Sequence, residues 1–569
     1  MLKYYIKCFI KSPVMCGGFI LYILLLIISQ PVFVPGNVED ISNGLLSTQQ
    51  FSFMYFLFFS FEFCVQMKKN DIRENKPITE EGLKKEKIYI FSLFFMLDIF
   101  LYVLFVGLSV KGAVYVMKAF SVEWFFHLAQ AFLIYFFLPC IFAVCAGLLI
   151  SFVQSINKGR MIALLLFVLF SNIFTGYLFQ CVSSSEWGTQ IVDIFGVVNR
   201  HFDYYCDLFY NYSVESVNVE RILFWIFLSL AVFCFIACNQ KKMIMTTLFS
   251  VAAAVLFILY IQPSGYRYFG GDWGNELACQ QYYSLLYNAC DDSIARRYKV
   301  PDFKVKEYKG KVEAKRVLKA SVDVIIDKVD LKEYDFTLYH GYQIHDITDE
   351  NGEKLLFQQK GDHILVQNNK LRKIRAIHFE YSGFSKKYVA TGQAVFLGGN
   401  FPYLPWPGWR KYVSEPEIHE DYKFWNIETD LTGIGYKTKY DIYFYSHVPV
   451  CSNLEEKGRS HFVGKTEGGT FVASSFLRKM EIGHAVLYYT IMSPQYYKNN
   501  LVETKNEYEK VLKKYNITNK IKIFDVGNMG DGDEIYYFSE DHIIGKFYEI
   551  DKCYPFYIKN GLTPAPNDL

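Results

Sequence analysis

Met243-Ile244-Met245-Thr246-Thr247-Leu248-Phe249-Ser250-Val251-Ala252-Ala253-Ala254-Val255-Leu256-Phe257-Ile258-Leu259-Tyr260-Ile261 carries no charge and is close to the roughly 20 residues that cross the hydrocarbon core of a bilayer. It reads as a membrane-spanning helix, and no comparable block follows Gln262. Working back toward the N-terminus, apolar blocks recur at Ile222–Cys238, Met161–Phe179, Phe125–Val153, Ile88–Val110 and Gly17–Ser29. A shorter one, Phe51–Val65, spans only if Gln49 and Gln50 sit at the interface; otherwise it is a re-entrant or interfacial segment. Composition explains the division: at 52% hydrophobic and 18% aromatic residues, the 569-residue chain is too apolar for an ordinary soluble protein and too polar for a membrane bundle alone. The reading is therefore an α-helical polytopic membrane bundle of about seven spans over residues 1–262, followed by a separate water-soluble half.

Lysine and arginine placement gives the orientation. One set of connections holds Lys3, Lys7 and Lys11, then Lys68 through Lys87, then Lys158 and Arg160, then Lys241 and Lys242. The alternate set has none between Gln30 and Gln50, then only Lys111 and Lys118, then Arg200 and Arg221. This asymmetry predicts a cell-membrane protein with a cytoplasmic N-terminus and an extracellular C-terminal domain. A cleaved signal peptide is the rival reading of the first 32 residues, but no small-residue cleavage pattern follows Ser29.

A net charge of +2, with no basic cluster interleaved with aromatics, gives no sign of a nucleic-acid partner. Of 13 cysteines, Cys181, Cys206, Cys279, Cys290, Cys451 and Cys553 fall on the expected outer side, where disulfides persist. Cys279 with Cys290 is the first candidate pair and Cys181 with Cys206 the next; packed free thiols are the alternative. No spacing resembles a zinc site, and no cofactor is expected. Glu62 and Asp98 are ionisable residues within apolar blocks. They either line a substrate path or have structural roles, Glu62 near the inner interface and Asp98 paired with a neighbouring helix. Glu123 and His127 are expected at the outer rim.

The connection after Phe51–Val65 ends in Lys76-Pro77-Ile78-Thr79-Glu80-Glu81, where a hydroxyl and two early acids mark a helix start. Together with the amphipathic opening Leu2-Lys3-Tyr4-Tyr5-Ile6-Lys7-Cys8-Phe9-Ile10, it resembles the permease subunit of a type-2 ABC exporter over residues 1–262. The resemblance implies that Lys76, Pro77, Ile78, Thr79, Glu80 and Glu81 dock a separate ABC ATPase, and that two permease subunits pair. The family's usual six spans are exceeded here by one, which carries the C-terminus outside. The chain has no ATPase of its own: before Gly464-Lys465-Thr466, Gly458 stands one residue too far away for a phosphate-binding loop.

From Asp302 the pattern changes to two-residue alternation, as in Val322-Asp323-Val324-Ile325-Ile326, Phe336-Thr337-Leu338-Tyr339 and Ile377-His378-Phe379-Glu380-Tyr381, with turn signals at Asp349-Glu350-Asn351-Gly352 and Lys360-Gly361-Asp362. This predicts an extracytoplasmic β-sandwich over 302–493, a linker at 263–301, and a short α/β segment at 494–569. Tyr334–Val366, Ile377–Gly383, Phe401-Pro402-Tyr403, the cluster Pro405–Trp409, Ile442–Val448 and Gly464–Gly469 resemble the N-terminal β-domain of the aminopeptidase N family of zinc metallopeptidases. Lys505–Tyr548 resembles the opening of the peptidase domain that follows it. The catalytic motif of that family is missing. His419-Glu420-Asp421-Tyr422-Lys423 lacks the second histidine of H-E-x-x-H and reads as loop. Gly530 and Asp531, in Gly527-Asn528-Met529-Gly530-Asp531, stand where the family's substrate loop has Glu and Asn, and Leu569 comes before the zinc helix would. No peptidase activity is expected. His340, His345, His363 and His378 read as structural strand histidines; Trp406 and Trp409 either bind peptide or lipid headgroups, or pack a domain edge or rest on the membrane interface.

The combined expectation is a permease subunit of an ABC exporter with a non-catalytic outer domain that binds an unidentified peptide or protein. The alternatives are a membrane-anchored scaffold or the remnant of a divided aminopeptidase.

Overall fold

The apolar blocks are helices, and the first bend among them follows from one dipeptide. α1 (Leu2–Lys11) is amphipathic: Tyr5 and Phe9, one turn apart, are buried, while Lys3, Lys7 and Lys11 are exposed. Pro13 has no N–H with which to extend the α1 ladder, but its fixed φ suits a first turn. α2 (Pro13–Ile28) therefore starts afresh, bent 78° from α1, with Ser12 Oγ accepting the Met15 N–H at 3.3 Å. This is a computed structural model, and it describes residues 2–28, 49–73, 80–118, 121–153, 155–171, 174–175, 178, 192–198, 209–236, 240–265, 301–385, 388–409, 417–419, 422–424, 434–493, 496–514, 520–525 and 537–545. Two units result: Met1–Cys206 with Tyr212–Gln262, and Asp207–Asn211 with Pro263–Leu569.

The first unit continues with α3 (Gln49–Arg73), the 38-residue α4 (Glu80–Met117), and a continuous run of α5 (Val122–Phe132), a π turn (Leu133–Phe137) and α6 (Leu138–Ile150). Pro139 withdraws the donor that the Tyr135 carbonyl would take in an α-helix, and the ladder widens just before it. α7 (Ile156–Phe170), α8 (Ser216–Ile236) and α9 (Gln240–Tyr260) complete the unit.

Seven spans were expected, and helices stand at all seven positions. Among the described residues, four are long and apolar enough to cross a membrane: Lys85–Val116, Val122–Ile150, Ser216–Ile236 and Met243–Tyr260; the bent pair α1–α2 makes five. α3 falls short because Gln49, Gln50, Ser52, Ser60 and Glu62 dilute its apolar content, and α7 because its described helix has only 15 residues. α3 and α6 cross closely at Gly147, where a Cβ would stand 2.0 Å from Ser60 Oγ and 2.6 Å from the Leu57 carbonyl oxygen.

In the second unit, alternation produces sheets. The largest has the order β14 (Glu455–Gly458), β15 (His461–Thr466), β12 (Thr438–Tyr445), β1 (Val305–Ala314), β2 (Leu318–Ile326), β7 (Ala376–Gly383) and β4 (Tyr342–Asp349), antiparallel except for β1 with β12. Leu318, Ala320, Val322, Val324 and Ile326 of β2 all point into the core, as a period of two requires. A four-stranded sheet follows the order β5 (Leu356–Lys360), β6 (His363–Gln367), β3 (Glu333–Thr337), β9 (Trp406–Pro407), and a three-stranded one the order β13 (Val450–Ser452), β16 (Phe471–Ser474), β8 (Ala394–Leu397). Residues of all three sheets share one hydrophobic core. The expected turn between β4 and β5 is an Asx turn: Asp349 Oδ1 accepts the N–H groups of Asn351 and Glu353 at 2.9 Å, and Gly352 takes φ +79°.

Two boundaries differ from the sequence reading. β17 (Leu477–Ile482) and β18 (Ala485–Thr490), expected within the first sheet domain, instead join β19 (Lys522–Asp525), β21 (His542–Ile544) and β20 (Tyr537–Phe538). β18, α10 (Leu501–Lys514) and β19 form a parallel crossover, so the α/β segment begins near Leu477 rather than at 494. The second unit also takes in Asp207–Asn211. Phe209 is fully buried in its core; the Phe209 carbonyl accepts from Ser474 Oγ at 2.5 Å, and that of Tyr210 from Gln393 Nε2 at 3.0 Å.

The α3–α6 crossing yields a first prediction. Gly147→Val should cost about 1–3 kcal/mol by overpacking against backbone, read as a lower melting temperature of the full-length protein in detergent. An unchanged melting temperature would show that the helices are not in contact there.

Candidate functional site

The lysine-rich end of the bundle brings several sequence-predicted residues together. Tyr5 stacks on Tyr89 with centroids 5.6 Å apart, and Phe9 meets Phe63 and Phe94 edge-on at 5.8 and 6.1 Å, seating α1 against α3 and the first turns of α4. Ser12 Oγ donates to Gln66 Oε1 at 3.1 Å. Of the expected docking residues, Glu80 and Glu81 open α4, directly after the expected cap, while Lys76, Pro77, Ile78 and Thr79 lie outside the described residues. Lys87 is buried; its Nζ donates to the Leu148 carbonyl at 3.2 Å and to Ser151 Oγ, and lies 3.6 Å from the centre of the Phe152 ring.

The two intramembrane acids behave differently. Glu62 takes both its oxygens to Arg160 of α7, at 2.5 Å from Nε and 3.2 Å from Nη2, with both side chains partly exposed, so it sits in a surface ion pair rather than in a buried path. Asp98, eleven residues beyond Lys87 and about 16 Å along the helix axis, is 1% exposed. The Cys140 thiol of α6 lies against its carboxyl, so the group it meets on a neighbouring helix is a thiol rather than a cation. His127 is buried rather than at an open rim, its Nε2 2.8 Å from the Tyr212 carbonyl oxygen. The cysteines Cys181, Cys206, Cys279 and Cys290 lie outside the described residues; Cys451 is a free thiol.

A buried network escaped the sequence reading, which had taken Arg221 only as an outer-loop charge. Arg221 Nη1 donates to Asp193 Oδ1 at 2.8 Å, Tyr260 Oη to Asp193 Oδ2 at 2.9 Å, and Trp225 Nε1 to the Ile194 carbonyl at 2.8 Å. Gln49 Nε2 adds a bond to the Val197 carbonyl at 3.3 Å. Segment 192–198 is thereby fastened to α3, α8 and α9. An arginine in the second turn of an apolar helix was the available signal.

In the second unit, Thr470 Oγ1 accepts the Gly399 N–H at 2.9 Å and stands 2.7 Å from His542 Nε2, while His542 Nδ1 lies 2.9 Å from Asp541 Oδ1 and 2.8 Å from Ser539 Oγ. Asn453 Nδ2 and Thr466 Oγ1 donate to Asp541 Oδ2 and Oδ1 at 3.0 and 3.1 Å. A hydroxyl–imidazole–carboxylate row has the make-up of a hydrolase triad. Here Thr470 and His542 are fully buried, so no substrate reaches them, and the row ties β16 to β21. Burial would raise the Asp541 carboxyl, but the hydrogen bonds from His542, Ser539 and Asn453 outweigh it and hold it well below the usual carboxylate range. At the end of β19, Asp525 Oδ2 accepts from Tyr508 Oη at 2.9 Å and from Tyr496 Oη; burial first, then the carboxylate, raises both phenols. Gly527–Asp531 beyond it lie outside the described residues.

His345, His363 and His378 lie in strands, whereas His340 lies in the turn before β4, and each has a polar partner: His340 with Asp362, His363 with Asp335, His378 with Asp323, and His345 with Ser382. His419, expected in a loop, ends β10 (Glu417–His419), which pairs with β11 (Tyr422–Phe424). Trp406 and Trp409 are buried, Trp409 packing on His363 at 4.8 Å, and Thr337 Oγ1 donates to the Gly408 carbonyl at 2.8 Å; the cluster packs the domain.

No protein-family model matches the chain, and no curated protein does. Among solved structures it is similar to native leukotriene A4 hydrolase from Saccharomyces cerevisiae, with 12% identity and a TM-score of 0.28 over 46% of this chain and 44% of that one. It is also similar to an aminopeptidase N family protein from Idiomarina loihiensis, with 9% identity and a TM-score of 0.29 over 42% of each. An M1 zinc metallopeptidase from Deinococcus radiodurans gives 11% identity and a TM-score of 0.28 over 43% of this chain and 60% of that one. The chain spans about half the length of these structures. Among the described residues no three His, Cys, Asp or Glu side chains converge, so these residues offer zinc no site.

Two predictions follow from these networks. Arg221→Met leaves the Asp193 carboxylate buried without its arginine and should cost about 3–5 kcal/mol in thermal melting, most of it regained by adding Asp193→Leu; a double variant no better than the single one would dissolve the pair. For Asp541, a depressed carboxylate stabilises the fold in full above its unfolded value, about pH 4, and loses that contribution as pH falls through the folded value. Protection from hydrogen exchange at Phe471–Ser474 and His542–Ile544, relative to the unfolded chain at the same pH, should fall below about pH 4, and Asp541→Asn should be less protected at neutral pH with a weaker acid response.

Proposed function

We propose that this chain is the membrane subunit of an ABC-type exporter, driven by a separate cytoplasmic ATPase, and that its sheet-rich unit is an extracellular binding domain without peptidase activity of its own. The observation that supports this reading is the 78° bend between α1 and α2. A basic amphipathic helix turned away from an apolar one has the geometry of a helix lying along a membrane surface beside one that crosses it. Because Tyr5 and Phe9 rest on Tyr89 and Phe94, α1 lies against α4 nine to fourteen residues beyond its first residue, and Lys76, Pro77, Ile78 and Thr79 lead into that same helix, which Glu80 and Glu81 open. The lysine-rich connections favour the cytoplasmic side for it. The reading includes a pair of such subunits and a peptide or protein ligand outside.

The test is purification of the tagged full-length protein in mild detergent, with mass spectrometry of its companions. An ATPase should co-purify and be lost at least about tenfold, near 1.4 kcal/mol, when Pro77→Gly, Glu80→Lys and Glu81→Lys are combined. Recovery of a zinc peptidase without an ATPase would overturn the reading in favour of an anchor for a divided aminopeptidase. Stoichiometric zinc with aminopeptide hydrolysis by the protein itself would overturn the absence of peptidase activity.

A further inference from the structure

A cavity of about 150 Å³ opens between α4, α6 and α8. Its walls are apolar: Ile88 and Phe91 on one side, Cys145 and Leu148 on the floor, Leu230 and Phe233 opposite. Cys145 and Leu148 are buried, whereas Ile88 is 58% exposed and forms part of the mouth. An apolar cavity of this size stays dry and takes up hydrocarbon. All three helices are among those long and apolar enough to cross a membrane, so the neighbouring medium is lipid.

Charge at the same place narrows the occupant. The stem of Lys87 lines the cavity, and its ammonium is fixed by Leu148 O, Ser151 Oγ and the Phe152 ring. Lys68 of α3 lies within electrostatic reach, and Lys85 is exposed one half-turn away. Glu86, buried, is an acidic neighbour of Lys87. We propose that this cavity is a binding site for one anionic phospholipid of the surrounding bilayer, a stretch of acyl chain seated on Cys145 and Leu148 and the phosphate held at the lysine-rich mouth. Lysines beside helix ends at a membrane surface favour anionic headgroups. The inference needs only that these helices lie in a bilayer, and so it can stand or fall apart from the exporter reading.

The test is native mass spectrometry of the full-length protein in detergent, titrated with phosphatidylglycerol or phosphatidylcholine. One phosphatidylglycerol should be retained about fivefold better than phosphatidylcholine, the worth of one lysine beside an anionic lipid. Leu230→Trp, which fills the cavity, should remove retention of both lipids. Ile88→Glu, at an exposed position that leaves packing alone, should abolish the preference while the melting temperature without lipid stays put. Equal retention of the two lipids, or a preference untouched by Ile88→Glu, would overturn the site. So would a dimer that Leu230→Trp dissociates with no change in lipid retention, which would assign the cavity to a second copy of the chain.

Discussion

Hydrocarbon offers a peptide group no hydrogen-bond partner, and the first unit, with four helices long and apolar enough to cross a membrane among its described residues, meets that constraint. Its apolar blocks satisfy their own backbones as helices, and each polar side chain carried inward must find a partner or remain costly. Arg221 and Tyr260 both find Asp193; Lys87 finds a carbonyl, a hydroxyl and a ring. Among the described residues Asp98 is less well served, with only the Cys140 thiol beside its carboxyl, and Tyr55 Oη, Ser109 Oγ and Trp124 Nε1 are buried without a hydrogen bond. The close crossing at Gly147 belongs to the same logic, since helices in lipid associate through packing rather than through exclusion of water.

The second unit is built differently. Its strands hide one face, and the polar groups trapped at sheet junctions are joined to one another. The row from Thr470 through His542 to Asp541 links β16 to β21, and Lys522 Nζ reaches the Ser452 and Leu454 carbonyls at 2.6 and 2.9 Å. A fully satisfied buried network of this kind fixes how two sheets meet. It also shows why residue types alone mislead: the same three groups at an open cleft would invite a catalytic reading.

Much of the architecture was legible from local pattern. Hydropathy placed the helices, period-two alternation found β2, β3 and β7, and turn signals marked both ends of β5. What local pattern cannot carry is partnership. β17 and β18 alternate as any hairpin does, and only the pairing of β18 with β19, more than thirty residues on, assigns them to the α/β segment. Asp193 likewise has no periodicity to announce that it meets Arg221. The π turn before Pro139 was similarly invisible, because a proline inside a long apolar run leaves open whether the helix kinks, ends or widens.

The Phe209–Ser474 hydrogen bond joins positions 265 residues apart. Phe209 leaves the ribosome before α8 and α9, and its place in the core does not exist until the sheets around it have been made. The last two helices of the first unit must therefore be made while a fully apolar side chain waits for its cavity, a loop closure whose entropy is settled late. The sheet-rich unit is, in consequence, a discontinuous one: a cut at Gln262 leaves Asp207–Asn211 behind, and a cut before Asp207 carries α8 and α9 along.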